Sequence, residues 1–184
     1  MMNPPSSWLR RFTPATTPEA QLLLLCPHAG AGASSYRDLA SALVTELETF
    51  PAIGISPAEI VVAHYPGRQD RAADSVPTTV LGYAEGLLPE TESLIRLSDA
   101  PRPITIFGHS MGGLIGYELA RLLQRRGLPV RLLVVSATYP PQLTKSAPAH
   151  PTDDETLLEH LAALEGTNIE VLRNQDVLSL VLPA

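Results

Sequence analysis

Four short apolar runs, separated by longer segments of helical period, constrain the fold of this chain more than any other feature of its sequence. The runs occupy residues 22–26, 60–65, 104–107 and 130–136. Each is almost continuously apolar, which is typical of a strand that is covered on both faces. The connecting segments are long enough for crossover helices. The pattern therefore predicts an α/β domain with a mostly parallel sheet and flanking helices.

The composition is that of a folded globular domain and argues against several classes of protein. Of the 184 residues, 45% are apolar and 17% are charged, so the sequence is not of the disordered type. The net charge is −6 and no basic stripe is present, which argues against nucleic-acid binding. The apolar runs are far shorter than the roughly 18 residues of a membrane span. Residues 1–17 show no signal-peptide pattern, so a cytoplasmic location is expected.

Residues 104–113 combine a predicted strand, a Gly-x-Ser-x-Gly pattern and the start of a predicted helix. This arrangement is typical of a nucleophile elbow, in which a sharp turn exposes a serine hydroxyl. Gly108 and Gly112 leave room for the turn, and Ser110 is the candidate nucleophile. The amide of Met111 would lie at the start of the helix, where an N–H group can stabilise an oxyanion.

A second oxyanion donor is expected in the loop after the first predicted strand, where the sequence reads Pro-His-Ala-Gly-Ala-Gly over residues 27–32. The small Ala29 would let its amide approach a substrate oxygen. Taken alone, the same residues fit an ordinary glycine-rich turn, and the elbow favours the oxyanion interpretation. We expect His28 to order this loop. The single cysteine, Cys26, excludes an internal disulfide and a thiolate metal cluster, and it is expected to pack as a small buried residue.

The remaining members of a serine-hydrolase triad are not found in the sequence. In such folds the acid and the histidine follow the nucleophile, on loops after later strands. The strand at 130–136 is followed by Ala137 and Thr138, with no carboxylate. No later strand followed by Asp, and no Gly-x-His, occurs before Ala184. We therefore expect the triad Asp and His to be absent from this chain.

Three motifs together resemble the type II (external) thioesterases of nonribosomal peptide and polyketide synthesis, members of the α/β-hydrolase superfamily. They are Pro-His-Ala-Gly at 27–30, Tyr-Pro-Gly-Arg-Gln-Asp-Arg at 65–71 and Gly-His-Ser-Met-Gly-Gly at 108–113. The segments 157–164, 166–167, 171–172 and 180–183 resemble the helical lid of that family. The resemblance implies a hydrolase core over 1–138, a linker and lid helices over 139–184, and a C-terminal truncation that removes the last strands.

The resemblance also implies a function and a set of site residues. Ser110 would be the acyl-accepting nucleophile, and the amides of Ala29 and Met111 would form the oxyanion hole. His28, Tyr65 and Arg68 would line the substrate entrance, although the 65–71 loop also fits a solvated Pro-Gly turn.

The implied substrate is an acyl group on the phosphopantetheine arm of a carrier protein, or on coenzyme A, so the substrate and not the enzyme carries the cofactor. The partner would be an acyl or peptidyl carrier protein of a synthase, with no nucleic acid and no membrane, in an editing role that the truncation would impair. The alternatives left open are an inactive module that binds acyl chains or carrier proteins, and a general serine esterase.

Overall fold

The computed structural model describes residues 7–14, 20–49, 58–97 and 100–140, with single positions at 143 and 156. The chain divides into two compact units, Met1–Pro141 and Gln142–Ala184. The architecture given below is that of the first unit. The lid helices predicted between residues 157 and 182 lie outside the described residues.

A five-stranded mixed sheet with the order β1-β3-β2-β4-β5 forms the centre of the first unit. Strand β1 pairs with β3 in the antiparallel direction, and all other neighbours are parallel. The strands are β1 (Leu9–Thr13), β2 (Gln21–Cys26), β3 (Ala58–Ala63), β4 (Ile104–His109) and β5 (Val130–Ser136). The predicted fold class, a mostly parallel sheet with flanking helices, is confirmed.

Three α-helices flank the sheet, namely α1 (Arg37–Thr49), α2 (Val80–Ile95) and α3 (Met111–Arg125). Thr79 is the N-cap of α2, and its hydroxyl accepts a hydrogen bond from the Gly82 N–H at 3.0 Å. Helix α3 stops at Gly127, which has a φ of +68° and allows the Leu128 N–H to bond back to the Leu123 carbonyl. None of the helices in the described ranges is long and apolar enough to cross a membrane.

Strand β2 supplies the two halves of the core because its side chains alternate between the faces of the sheet. Leu22 and Leu24 belong to the apolar cluster that includes side chains of α2 and α3. Leu23 and Leu25 belong to a second cluster, with Tyr36 and residues of α1. Helices therefore cover β2 on both faces, as its continuous apolar sequence predicts.

The two outer strands differ from the inner strands in charge and in exposure. Strand β1 was not predicted, because Arg10 and Arg11 interrupt its apolar pattern and it lies at an antiparallel edge where charged side chains reach solvent. Strand β5 was predicted at its observed bounds, but Leu132 and Val134 are 48% and 38% exposed. Only the inner strands have the two-sided coverage that their sequences indicate.

A buried ion pair ties β3 to the segment that precedes β4. The Arg102 guanidinium lies 2.8 Å from the Glu59 carboxylate, and the two side chains are 4% and 1% exposed. Arg102 also donates to the carbonyls of Ala20 and Leu94, at 3.1 and 2.9 Å. These bonds satisfy a charge that would otherwise be costly to bury. Arg102 and its partners therefore join four parts of the chain at the edge of the sheet where β2, β3 and β4 begin.

We predict that Arg102→Ala lowers the free energy of unfolding by about 2 to 3 kcal/mol, because the buried Glu59 carboxylate keeps only the half-exposed Arg11, whose Nε lies 2.8 Å away, as its counter-charge. Urea denaturation followed by circular dichroism measures the change. Arg96→Ala is the control, since Arg96 forms an exposed pair with Glu92 that is worth less than about 1 kcal/mol. Similar losses for the two variants would contradict this interpretation.

Candidate active site

Ser110 occupies the sharp turn between β4 and α3, with a φ of 53° and a ψ of −123°. Residues other than glycine rarely adopt a positive φ, and such strain is found mainly at functional sites. The Ser110 N–H donates to the Ser136 carbonyl at 2.8 Å, and the Ser110 carbonyl accepts from the Gly113 N–H at 2.9 Å. The backbone on both sides of the turn is thus held, while the Ser110 hydroxyl makes no capping bond to α3.

Gly108 and Gly112 are required because the backbone approaches itself closely at both positions. A Cβ atom on Gly112 would collide with the carbonyl groups of Cys26 and Pro27, and one on Gly108 would collide with the backbone of Gly112. These neighbours are main-chain atoms, which cannot rotate away as a flexible side chain can. The Gly-x-Ser-x-Gly sequence is therefore a packing requirement of this turn, and the elbow lies directly against the end of β2.

The 27–32 loop lies beside the elbow because of the parallel register of β2 and β4, which pairs Cys26 with Gly108. The loop turns at Gly30, which has a φ of +79°, and the Ala31 N–H bonds to the His28 carbonyl at 3.2 Å. Ala29 is exposed. Met111 is the first residue of α3, so its N–H has no acceptor within the helix. The two amides predicted to bind an oxyanion therefore belong to neighbouring segments at one edge of the sheet.

Two histidines flank the elbow, and both are bonded to groups other than Ser110. His28 Nδ1 lies 3.2 Å from the Tyr36 hydroxyl, and His109 Nδ1 lies 3.1 Å from the Ser136 hydroxyl. The two imidazole rings meet edge to face with their centroids 5.7 Å apart. Partial burial, and to a lesser extent His109, lower the pKa of His28. The sequence did not identify Tyr36 and Ser136 as partners of these rings, because the contacts depend on the register of the sheet.

Beneath the elbow, Cys26 and Tyr65 are neighbours in the interior. Both residues are almost fully buried, and the Tyr65 hydroxyl lies near the Cys26 thiol but has no hydrogen-bond partner among the described residues. Burial raises the pKa of Cys26 to about 12, so this thiol is not an available nucleophile. The Tyr65 ring packs edge to face on Tyr83 of α2 with a centroid distance of 5.1 Å. Tyr65 was predicted at the substrate entrance, and the structure places its side chain below the surface.

Residues 64–74, after β3, form a loop that is attached to the rest of the domain by several polar side chains. Arg71 is 6% exposed and donates to the His64 carbonyl at 2.7 Å and to Asp74 at 2.7 Å. Asp70 pairs with Arg10 of β1 and lies 2.9 Å from His64 Nε2. Gln69 donates to the Ser34 hydroxyl. The sequence motif 65–71 is therefore largely structural.

Arg68 is the member of this motif whose head group takes no part in that attachment. Its side chain is half-buried, and its Nη1 donates to the neighbouring Gly67 carbonyl at 2.9 Å. The sequence predicted both Arg68 and His28 at the substrate entrance, and both follow strands at the same edge of the sheet. Within the described ranges, no group of three or more His, Cys, Asp or Glu side chains could hold a metal ion.

Comparisons with a family model and with curated proteins agree on one family for this chain. The family model described as "Thioesterase domain" matches residues 21–184. The chain is similar to Thioesterase PikA5 of Streptomyces venezuelae, with 35% identity over 96% of this chain and 58% of that protein. It is also similar to Phenyloxazoline synthase MbtB of Mycobacterium tuberculosis, with 34% identity over 96% of this chain and 11% of that protein. The chain thus spans only part of the length of these relatives.

Solved structures show the same relationship. The type II thioesterase BorB from the borrelidin biosynthetic cluster matches with a TM-score of 0.73 and 32% identity, over 99% of this chain and 68% of BorB. YbtT, a type II thioesterase from the yersiniabactin pathway, matches with a TM-score of 0.73 and 26% identity, over 96% of this chain and 66% of YbtT.

We predict that Gly112→Ala destabilises the domain by more than about 3 kcal/mol or prevents its folding, because the added methyl group meets fixed backbone of β2. Gly116→Ala, on the same helix, is the matched control. Its methyl group would meet a side-chain methyl of Ile106 at 3.0 Å, which can shift, so a loss of about 1 kcal/mol is expected. Urea unfolding compares the two variants, and equal stability would contradict the close-approach argument.

We also predict that the Cys26 thiol is protected in the folded protein. With a pKa of about 12 and full burial, Cys26 should react with Ellman's reagent at pH 8 at least about 100-fold more slowly than in 8 M urea. The rate is read from absorbance at 412 nm. Rapid labelling of the native chain would show that the end of β2 is open to solvent.

Proposed function

Because the chain belongs to the thioesterase domain family, we propose that it acts as a type II thioesterase on acyl groups carried by the phosphopantetheine arm of carrier proteins, or by coenzyme A. The observation that carries the proposal is the strained Ser110 turn between β4 and α3, held by backbone bonds on both sides. BorB and YbtT, both type II thioesterases, support the choice of substrate class. The proposed role is the removal of unwanted acyl groups from a synthase.

The reaction proceeds in two steps with Ser110 as the proposed nucleophile. Its Oγ attacks the thioester carbonyl carbon, and the resulting oxyanion accepts hydrogen bonds from the N–H groups of Ala29 and Met111. The C–S bond then breaks, and the thiol leaves with a proton while the acyl group stays on Ser110. Water attacks the acyl-serine, releasing a carboxylic acid and restoring the hydroxyl. These preorganised N–H groups lower the barrier most in the transition state, where negative charge develops on the former carbonyl oxygen.

Proton transfer from Ser110 needs a base, and neither of the two histidines beside the elbow is hydrogen-bonded to Ser110. His28 is bonded to Tyr36, and His109 is bonded to Ser136. A thiol is a good leaving group, so departure of the pantetheine thiol needs little acid catalysis. The main demand on a base is therefore the activation of Ser110 and of the attacking water.

The proposed partner is an acyl or peptidyl carrier protein, in a cytoplasmic setting. MbtB, in which the similar region makes up 11% of the protein, is named as a synthase. This similarity supports an association of the chain with synthase chemistry. Under this proposal the pantetheine arm reaches Ser110 at the edge of the sheet where β2, β3 and β4 end. His28 and Arg68 flank the approach.

The experiment is thiol release from acetyl-phosphopantetheine, with intact-mass detection of the acetyl group on the protein. Wild-type protein should form an acetyl adduct and release thiol, whereas Ser110→Ala should form no adduct and release thiol more slowly. Ser35→Ala is the matched control, because Ser35 is an exposed serine in the 3₁₀ turn Ala33–Tyr36. We expect the control to retain the wild-type rate.

Two further comparisons separate the alternatives. Equal turnover of the thioester and of the matched oxygen ester would indicate a general serine esterase. Saturable binding of the acyl carrier, without any adduct or turnover, would indicate a binding module. Thiol release at the same rate by wild type and Ser110→Ala would exclude Ser110 as the nucleophile.

A further inference from the structure

Arg68 lies in a segment whose backbone is fixed on both sides. Gly67 and Gln69 both have positive φ values, of 77° and 53°, while Arg68 between them is extended with a φ of −133°. A left-handed conformation at a glutamine is costly, and it persists only where the surroundings enforce it. Here the Gln69 side chain bonds to Ser34 and fills the space beside Gly32. The loop thus presents Arg68 in one defined conformation.

A series of neighbouring residues leads from the elbow towards Arg68. Gly112, two residues after the nucleophile, lies against the Cys26 carbonyl, and the Cys26 thiol lies near the Tyr65 hydroxyl. The Tyr65 ring packs on Tyr83, which lies within the electrostatic reach of the Arg68 guanidinium. Strand β3, which precedes this loop, is two positions from β4 in the sheet, a spacing of about 10 Å. Arg68 therefore belongs to the same edge as the candidate nucleophile.

The guanidinium of Arg68 has unused hydrogen-bonding capacity. An arginine carries five N–H donors, and one of those on Arg68 reaches the Gly67 carbonyl. In the parts of the chain that the structure describes, no carboxylate forms an ion pair with Arg68. The neighbouring Arg71, by contrast, is paired with Asp74 and is 6% exposed, and Arg10 is paired with Asp70. Arg68 is thus the arginine of this loop that is left for an external anion.

We propose that Arg68 binds the 4′-phosphate of the phosphopantetheine arm, a phosphate that a carrier-borne substrate shares with coenzyme A. The inference rests on the proposed function, since it assumes a pantetheine thioester at Ser110. The forked guanidinium matches phosphate oxygens in a bidentate manner. The thioester and the phosphate lie at opposite ends of the long, flexible arm. A phosphate contact on the neighbouring loop would therefore fix the distal end of the substrate without touching the reacting atoms.

The experiment measures binding of two hydrolysis-resistant ligands by calorimetry. One is the acetyl-amide analogue of 4′-phosphopantetheine, and the other is the same molecule without its phosphate. Wild-type protein should bind the phosphorylated analogue about 10-fold more tightly, the scale of one charge-assisted contact. Arg68→Gln should remove this preference and leave the affinity for the unphosphorylated analogue unchanged. Arg68→Lys should keep part of it.

Arg125→Gln is the matched control, because Arg125 is an exposed arginine in the last turn of α3, at the opposite end of the helix from Ser110. It should keep the full preference. A preference that survives Arg68→Gln would overturn the proposal, and so would an equal loss of affinity for both analogues. Binding of both analogues to wild type without a preference overturns this proposal alone. Failure of both analogues to bind wild type overturns the proposed substrate class as well.

A coenzyme A analogue with the same acetyl amide separates the two sources of the phosphate. Affinity equal to that of the phosphopantetheine analogue supports recognition of the 4′-phosphate alone, as on a carrier protein. A gain for coenzyme A that Arg68→Gln abolishes would assign Arg68 to the nucleotide and would overturn the proposal.

Discussion

The close approach of two backbone segments, the end of β2 and the start of α3, is the constraint on which the candidate site depends. Gly112 lies against the carbonyls of Cys26 and Pro27, and Gly108 lies against Gly112. With side chains at these positions, α3 could not begin where it does, and Ser110 would not occupy its strained turn. The same approach places the start of the 27–32 loop against the first turn of α3. The nucleophile and both proposed oxyanion donors thus follow from one packing requirement.

The 64–74 loop shows how similar side chains in one motif serve different purposes. Arg71 is buried, bonds to the His64 carbonyl and stacks over the Trp8 ring at 4.8 Å, so its charge stabilises the loop. Asp70 remains exposed but reaches both Arg10 and His64, and the Arg10 bond lowers the pKa of Asp70. These contacts hold the loop to β1 and β3. The backbone around Arg68 is consequently fixed by its neighbours, while the Arg68 guanidinium takes no part in the ion pairs that hold the loop.

Local pattern was enough to predict the elbow and the inner strands, because those features depend on residues adjacent in sequence. The Gly-x-Ser-x-Gly pattern between a strand and a helix specified Ser110, and continuous apolar runs specified β2 and β4. Features that depend on contacts between residues distant in sequence were harder to predict. Strand β1 was missed because its charged residues are tolerated only at an edge, which the sequence does not reveal. Tyr65 was expected at the entrance, and its burial depends on Tyr83, eighteen positions later in sequence. The sequence could not distinguish the buried Arg71 from Arg68, because the two side chains of the 65–71 motif have the same chemistry.

The register of the sheet also limits how sequences of this kind can diverge. Cys26 is paired with Gly108 in parallel strands, so the 27–32 loop and the elbow leave the sheet at the same level. Deleting one residue within β2 would move the side chains on one side of the deletion to the opposite face of the sheet, or would draw the loop away from Ser110. Insertions and deletions are therefore expected to accumulate in connections at the other edge, where β2, β3 and β4 begin. There a change of loop length leaves the spacing between the oxyanion amides untouched.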